Sequence, residues 1–140
     1  MRRIEQDEVE ELKEFIDMLN YKSSNGAVVV VEGKKDVIAL TTLGFYGNVI
    51  MLNSCRSLSR LVDNIQHSKE VILLLDMDSK GRYLTQRIVS MISNRRRVNL
   101  FYKKRLVEIT RGKIRSVEEL VIYKEYINNN NNVIDYIQSI

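Results

Sequence analysis

A single α/β domain, with about four mainly parallel strands and helices on both faces of the sheet, is predicted by three features of the 140-residue sequence. Apolar runs of strand length at 27–31, 49–52 and 71–75 alternate with stretches whose apolar residues recur at helical spacing. The first and third runs have no polar interruption, as befits strands covered on both faces. Each of these two ends abruptly in acids beside a glycine and a lysine, in AVVVVEGKKD and VILLLDMDSKGR.

The elements follow in order. Val9, Leu12, Ile16 and Leu19 fall at i, i+3, i+7 and i+10 and predict an amphipathic helix at the edge of the sheet. Turn residues in YKSSNG, 21–26, separate it from the first strand. After EGKKD, Val37, Ile38, Leu40 and Leu43 support a short helix stopped by Gly44, and VIML at 49–52 reads as the second strand. Ser57 is a candidate N-cap for a helix carrying Leu58, Leu61, Val62 and Ile65. The third strand, 71–75, leads to a helix with Leu84, Ile88, Met91 and Ile92 that ends near Asn94. VNLFYKKRLVEI, 98–109, is rich in β-formers and suggests a fourth strand continued as a hairpin through RGK. Ser116 and Glu119 form a capping-box pattern opening a helix to about Ile127. Five asparagines, 128–132, read as a connector to a short last helix with Val133, Ile137 and Ile140. The organisation is thus an amphipathic helix in 1–24, the α/β domain in 25–127 and an Asn-rich tail in 128–140.

One cysteine, Cys55, cannot make an internal disulfide, and there is no CxxC pattern for zinc. The charged start MRRIEQDEVEELKE and the shortness of the apolar runs predict no leader and no membrane span, so a cytoplasmic protein is the expectation. Charge is polarised. From Arg95 to Arg115 nine basic residues face one acid, Glu108, whereas Glu5 to Asp17 carries seven acids and one lysine. A basic stretch this dense suits a polyanion, because neutralised phosphates release condensed counterions; a solvated basic surface is the alternative.

If the first and third runs are neighbouring parallel strands, their carboxyl ends bring Glu32, Asp76 and Asp78 to one sheet edge, where open α/β folds bind ligands. Asp76 and Asp78, at i and i+2, point the same way if strand geometry persists. They would then hold a hard cation such as magnesium, with Glu32 binding a second ion or moving a proton. Lys34, Lys35, Lys80 and Arg82 would counter phosphate charge, and Gly33 and Gly81 permit close backbone approach. An acid ending a buried strand can instead simply cap a neighbouring helix. Asn53 and Ser54, ahead of a helix, are further candidate phosphate contacts. His67 reads as a helix-end residue and Cys55 as structural.

VVVVEGKKD, with Glu32 and Gly33, followed by LLLDMDSKG, with Asp76, Asp78 and Gly81, resembles the two motifs of the Toprim family, named for topoisomerases and primases and including small maturation-type ribonucleases. The resemblance covers roughly residues 27–125. It implies a Rossmann-like Toprim fold, magnesium (or manganese in its place) on Asp76 and Asp78, and Glu32 as general acid or base or as a ligand. The chain lacks room for the extra domains of topoisomerases and primases. A stand-alone metal-dependent nuclease is the resulting expectation, with RNA slightly ahead of DNA on a loose likeness of RLVEITRGKIRSVEEL to the maturation nucleases. Arg95, Arg96, Arg97, Lys103, Lys104 and Arg105 would hold the substrate backbone, and Phe101 and Tyr102 either pack in the core or stack on bases. A non-catalytic nucleic-acid-binding or assembly module is the alternative, and protein partners or self-association are compatible with either. A haloacid-dehalogenase-like phosphatase is disfavoured because Asp135 is the only aspartate after Asp78, and no P-loop or GxGxxG is present.

Overall fold

Val28 and Val30 point to one face of the sheet and Ala27, Val29 and Val31 to the other, so every residue of strand β1 (Ala27–Val31) is buried. This is the physical content of its unbroken apolar run: successive side chains alternate, and both faces are covered. The computed structural model of the protein describes residues 3–92 and 94–128. In it β1 lies between β2 (Val49–Met51) and β3 (Glu70–Leu73), and β4 (Val98–Asn99) completes the order β2-β1-β3-β4. All three pairings are parallel, with Val30 opposite Leu73 and Val29 opposite Val49.

Helices α3 (Leu58–Ile65) and α4 (Ser79–Met91) cover one face, packing Leu61, Val62, Ile65 and Ile88 on Val28, Val30, Val71, Leu73 and Leu75. Ser57 caps α3 as expected, accepting from the Arg60 amide at 3.2 Å. The other face carries α1 (Gln6–Ser24), α2 (Lys34–Thr42), α5 (Phe101–Ile109) and a 3-10 helix, Val117–Tyr123. The capping box of Ser116 and Glu119 is present, but it opens this tighter helix, with helical residues 124–128 after it.

Three expectations are corrected. Helix α1 is not at the edge: Val9, Leu12, Phe15, Ile16 and Leu19 are buried in the main core. Phe15 widens the stripe enough to cover the sheet and to meet Tyr102 edge-on at 5.6 Å. The fourth strand is only two residues long, and 101–109 is helical. Tyr102, Leu106 and Ile109 sit at i, i+4 and i+7 and are buried, so burial of that stripe overrides the β-propensity of the segment. No hairpin follows; Arg111 (φ 54°) and Gly112 (φ 71°) are left-handed and end α5, the Gly112 amide donating to the Val107 carbonyl at 3.0 Å. Smaller shifts occur at strand ends, where Leu52 joins a 3-10 turn, Leu52–Ser54, and α4 stops at Met91. The expected last helix lies outside the described residues. No helix among the described residues is long and apolar enough to cross a membrane.

The two ends of the described chain meet in a buried polar cluster. Lys113 Nζ donates to Glu8 Oε1 at 2.6 Å, with side-chain exposures of 5% and 0%, and the Tyr123 hydroxyl donates to Glu8 Oε2. Burial pushes the Glu8 carboxyl up, but the bonds from Lys113, Tyr123 and the Glu5 amide outweigh it and hold the group below its usual range. Removing one partner strands a buried charge. Glu8→Ala is therefore expected to cost about 3–5 kcal/mol in urea denaturation, and adding Lys113→Met to recover part of that loss. Because the folded state binds this proton more weakly than the unfolded chain, the wild type loses stability as pH falls through the Glu8 titration. The Glu8→Ala variant should lack that component; an identical acid dependence would rule the cluster out as its source.

Candidate functional site

The register of β1 against β3 sets the geometry of the carboxyl edge. The ladder continues one step past β3, with the Leu74 amide on the Val30 carbonyl at 2.9 Å, so both chains leave the sheet together. Glu32 follows β1 and Asp76 follows that last paired stretch, and Glu32 Oε1 accepts the Asp76 amide at 3.2 Å. The Glu32 carbonyl in turn accepts the Asn53 amide at 2.9 Å, which ties the end of β2 to the same point. Three strand ends therefore converge, and a cleft of about 270 Å³ opens there, lined by Glu32, Gly33, Lys34, Lys35, Asp36, Asn53, Asp76 and Glu118.

Helix α4 starts directly beneath Asp76. A Cβ on Gly81 would lie 1.9 Å from the Asp76 carbonyl oxygen, so this approach is open to glycine alone. Asp78 is the N-cap of α4 and accepts the Gly81 amide at 2.7 Å. The two aspartates of DMD consequently differ in role: Asp76 lines the cleft, while one oxygen of Asp78 is engaged by the helix. The strand does not run on to Asp78: β3 ends at Leu73 and the chain bends at Met77 and Asp78 to enter α4. Among the described residues no group of three or more His, Cys, Asp or Glu side chains is arranged to hold a metal ion.

Asp36 is the site residue that sequence reasoning passed over. It is 5% exposed; Oδ2 accepts the Gly33 amide at 3.0 Å and Oδ1 accepts the Glu118 amide at 2.8 Å. The signal was available in Gly-Lys-Lys-Asp, an acid at the third helical position placed to reach back to the N-cap amide. Its link to Glu118, 82 residues away, was not.

Electrostatics single out Asp76, whose carboxyl is pushed up to about 7. Burial is the largest cause, followed by the charges of Glu32 and Asp36, a hydrogen bond to Glu32, and the charge of Asp78. Lys103 is the cation supplied from across the fold: from α5 its Nζ donates to the Asp76 carbonyl at 3.0 Å. Burial and the repulsion of Arg82 lower its proton affinity, against the pull of Asp76, Asp78 and Glu32.

The other sequence candidates divide. Lys80 and Arg82 are exposed in the first turn of α4, Arg82 Nη2 bonding Ser79 Oγ at 3.3 Å. Ser54 is exposed, with its hydroxyl donating to the Met51 carbonyl at 2.8 Å. Arg95–Arg97 form a 3-10 turn leading into β4, at the amino end of the parallel strands and therefore opposite the cleft; Arg97 Nη1 bonds the Ser68 carbonyl at 2.8 Å. Lys104 is exposed, and Arg105 pairs with Glu108 at 3.8 Å. Tyr102 is core and Phe101 is exposed. The basic stretch is thus split between the two ends of the sheet, with Lys103 reaching the acids.

A Toprim-like family model matches residues 29–111, which span both acidic strand ends and the whole of α5. The chain belongs to the Toprim-like family. This Toprim-like chain is similar to a UPF0292 protein of Archaeoglobus fulgidus, at 35% identity over 81% of this chain and 90% of that one. It is also similar to a UPF0292 protein of Methanocaldococcus jannaschii, at 33% identity with the same coverage of 81% and 90%. Among solved structures, a protein from Aquifex aeolicus superposes with a TM-score of 0.62 at 32% identity, covering 77% of this chain and 96% of that one. Membership links the Toprim-like domain to a nucleic-acid-related family whose domains generally bind magnesium.

The raised Asp76 carboxyl carries a prediction with a definite sign. The fold holds this proton well above the unfolded value of 3.8, so the stabilisation from protonation is lost as pH rises through about 7. Without divalent metal, Asp76→Asn is expected to raise Tm by several degrees at about pH 8 and by clearly less at about pH 5. An equal shift at both pH values would show that Asp76 does not carry the strain.

Proposed function

We propose that this Toprim-like domain is a magnesium-dependent phosphodiesterase acting on nucleic acid, with RNA ahead of DNA. The observation that carries the reading is the Glu32–Asp76 pair at the joined ends of β1 and β3, with Asp76 held at about 7 beside Lys103. Two carboxylates that repel each other in a half-buried cleft are relieved by a cation. The donor set is oxygen only, which fits a hard ion; magnesium commonly takes one or two carboxylates and completes its shell with water and substrate phosphate. Glu32 and Asp76, which both line the cleft, would hold it. When bound, the ion supplies positive charge against the phosphate oxygens and acidifies water.

The chain's own residues account for the rest. Lys34 and Lys35, in the cleft at the head of α2, would offer cations to the phosphate, with Lys103 adding positive charge at the Asp76 carbonyl. Glu32 would, in place of holding the ion, accept a proton from the attacking water. Asp36 holds the Gly33 amide and keeps the Glu-Gly turn fixed under the reaction.

A second reading, a non-catalytic binding module, is favoured by one observation: Asp78 is used as a helix cap, and among the described residues no three-acid set is arranged to hold a metal ion. One experiment separates the two. Labelled single- and double-stranded RNA and DNA are incubated with and without magnesium or manganese, with Glu32→Gln, Asp76→Asn and Lys103→Met alongside. Cleavage only with metal is expected, falling roughly a hundredfold or more in the Glu32 and Asp76 variants and less in Lys103→Met. Metal-independent cleavage, or variants as active as the wild type, would reject the mechanism. Binding without cleavage of any substrate would establish the second reading.

A further inference from the structure

The acidic cleft does not end at its polar rim. Lys35 and Glu118 line both the cleft and an adjoining open groove of about 460 Å³ between α2 and the 3-10 helix. Ile38, 50% exposed, Val121, 45% exposed, and Ile122 supply its apolar lining, together with Glu119 and with Lys113, whose ammonium is already paired with the buried Glu8. Lys35 and Ile38 lie at i and i+3 on α2, so a cation and an apolar side chain share one exposed helix face. The result is one trough, polar with cations at one end and aliphatic at the other.

We infer that this groove receives the base of an unpaired nucleotide next to the phosphate held in the cleft, and so selects single-stranded substrate. The inference rests on the phosphodiesterase reading and names its substrate class. Lys35 stands at the junction, where the linking phosphate would lie. Glu119, which lines the groove and not the cleft, makes that end unfavourable to a second phosphate, which orients the strand with its base inward. A base within a duplex is stacked on both faces and offers only its edge, whereas an unpaired base can turn out and bury a face against aliphatic side chains. The volume suits a small ligand group. Three apolar side chains are too few for a stable dimer, which buries on the order of 1,200–2,000 Å².

The test measures binding of a short fluorescein-labelled RNA by anisotropy without divalent metal, as an intact single strand, as a duplex, and as a strand of abasic residues. The neutral substitutions Ile38→Ser and Val121→Ser, both at exposed positions, are made together, and thermal melting confirms the fold. The wild type is expected to bind the intact strand more tightly than the duplex. The double variant should lose roughly five- to tenfold on the intact strand and nothing on the abasic strand. Equal binding of the intact strand by variant and wild type would overturn the groove's role, and the metal-dependent cleavage of the preceding section would still stand. Failure of the wild type to bind any nucleic acid while it still cleaves with metal would overturn this inference alone, and failure of both binding and metal-dependent cleavage would remove the phosphodiesterase reading with it. A concentration-dependent dimer abolished by the double variant, or tighter RNA binding on removal of residues 129–140, would assign the groove to a second copy or to the chain's own end and overturn the proposal.

Discussion

The parallel pairing of β1 with β3 is the constraint on which everything at the carboxyl edge depends. With Val30 opposite Leu73, both strands run out together, and the next residues to leave the sheet are Glu32 and Asp76. A slip of one residue would turn every side chain of one strand to the other face and send the apolar residues of two packed cores into the wrong layer. Register is therefore held by the hydrophobic burial of ten or so strand residues, and the carboxylates inherit it. Their mutual repulsion, visible in the raised proton affinity of Asp76, is tolerated because the strands cannot separate without opening the core.

A second set of bonds braces the site from behind. Asp36 holds the Gly33 amide with one oxygen and the Glu118 amide with the other, which fastens the Glu-Gly turn to the 3-10 helix. That helix is itself anchored through Tyr123 to Glu8, and Glu8 to Lys113. The path from α1 to the candidate catalytic turn is thus a chain of partnered polar groups, buried at Glu8, Tyr123 and Asp36, and among the described residues no buried side-chain N or O atom lacks a partner. Such a network costs desolvation, and its contribution is to fix one arrangement more than to add net stability.

Much was legible in the sequence where a local rule operates without competition. The uninterrupted run of β1 could only be a strand covered twice; Ser57 and Ser116 announced their caps; Gly81 sits where a side chain has no room. The misreading of the fourth strand and its hairpin has one cause. Residues 101–109 satisfy both a β-propensity argument and a helical stripe, and the hydrophobic face waiting at Phe15 decides between them. Once α5 is a helix, the basic stretch cannot be one continuous surface, and Lys103 swings to the acids while Arg95–Arg97 stay at the far end.

By itself the sequence determined the α/β class, the strand ends that carry acids and the glycines that let the backbone close on them, because these follow from periodicity and from steric rules acting within a few residues. The tertiary structure alone decided that Lys103 joins the site, that Asp36 ties the Glu-Gly turn to Glu118, and that an apolar groove continues from the cleft. Each of these depends on which elements become neighbours, and that choice is made by burial of the whole core, to which residues far apart in the chain contribute jointly.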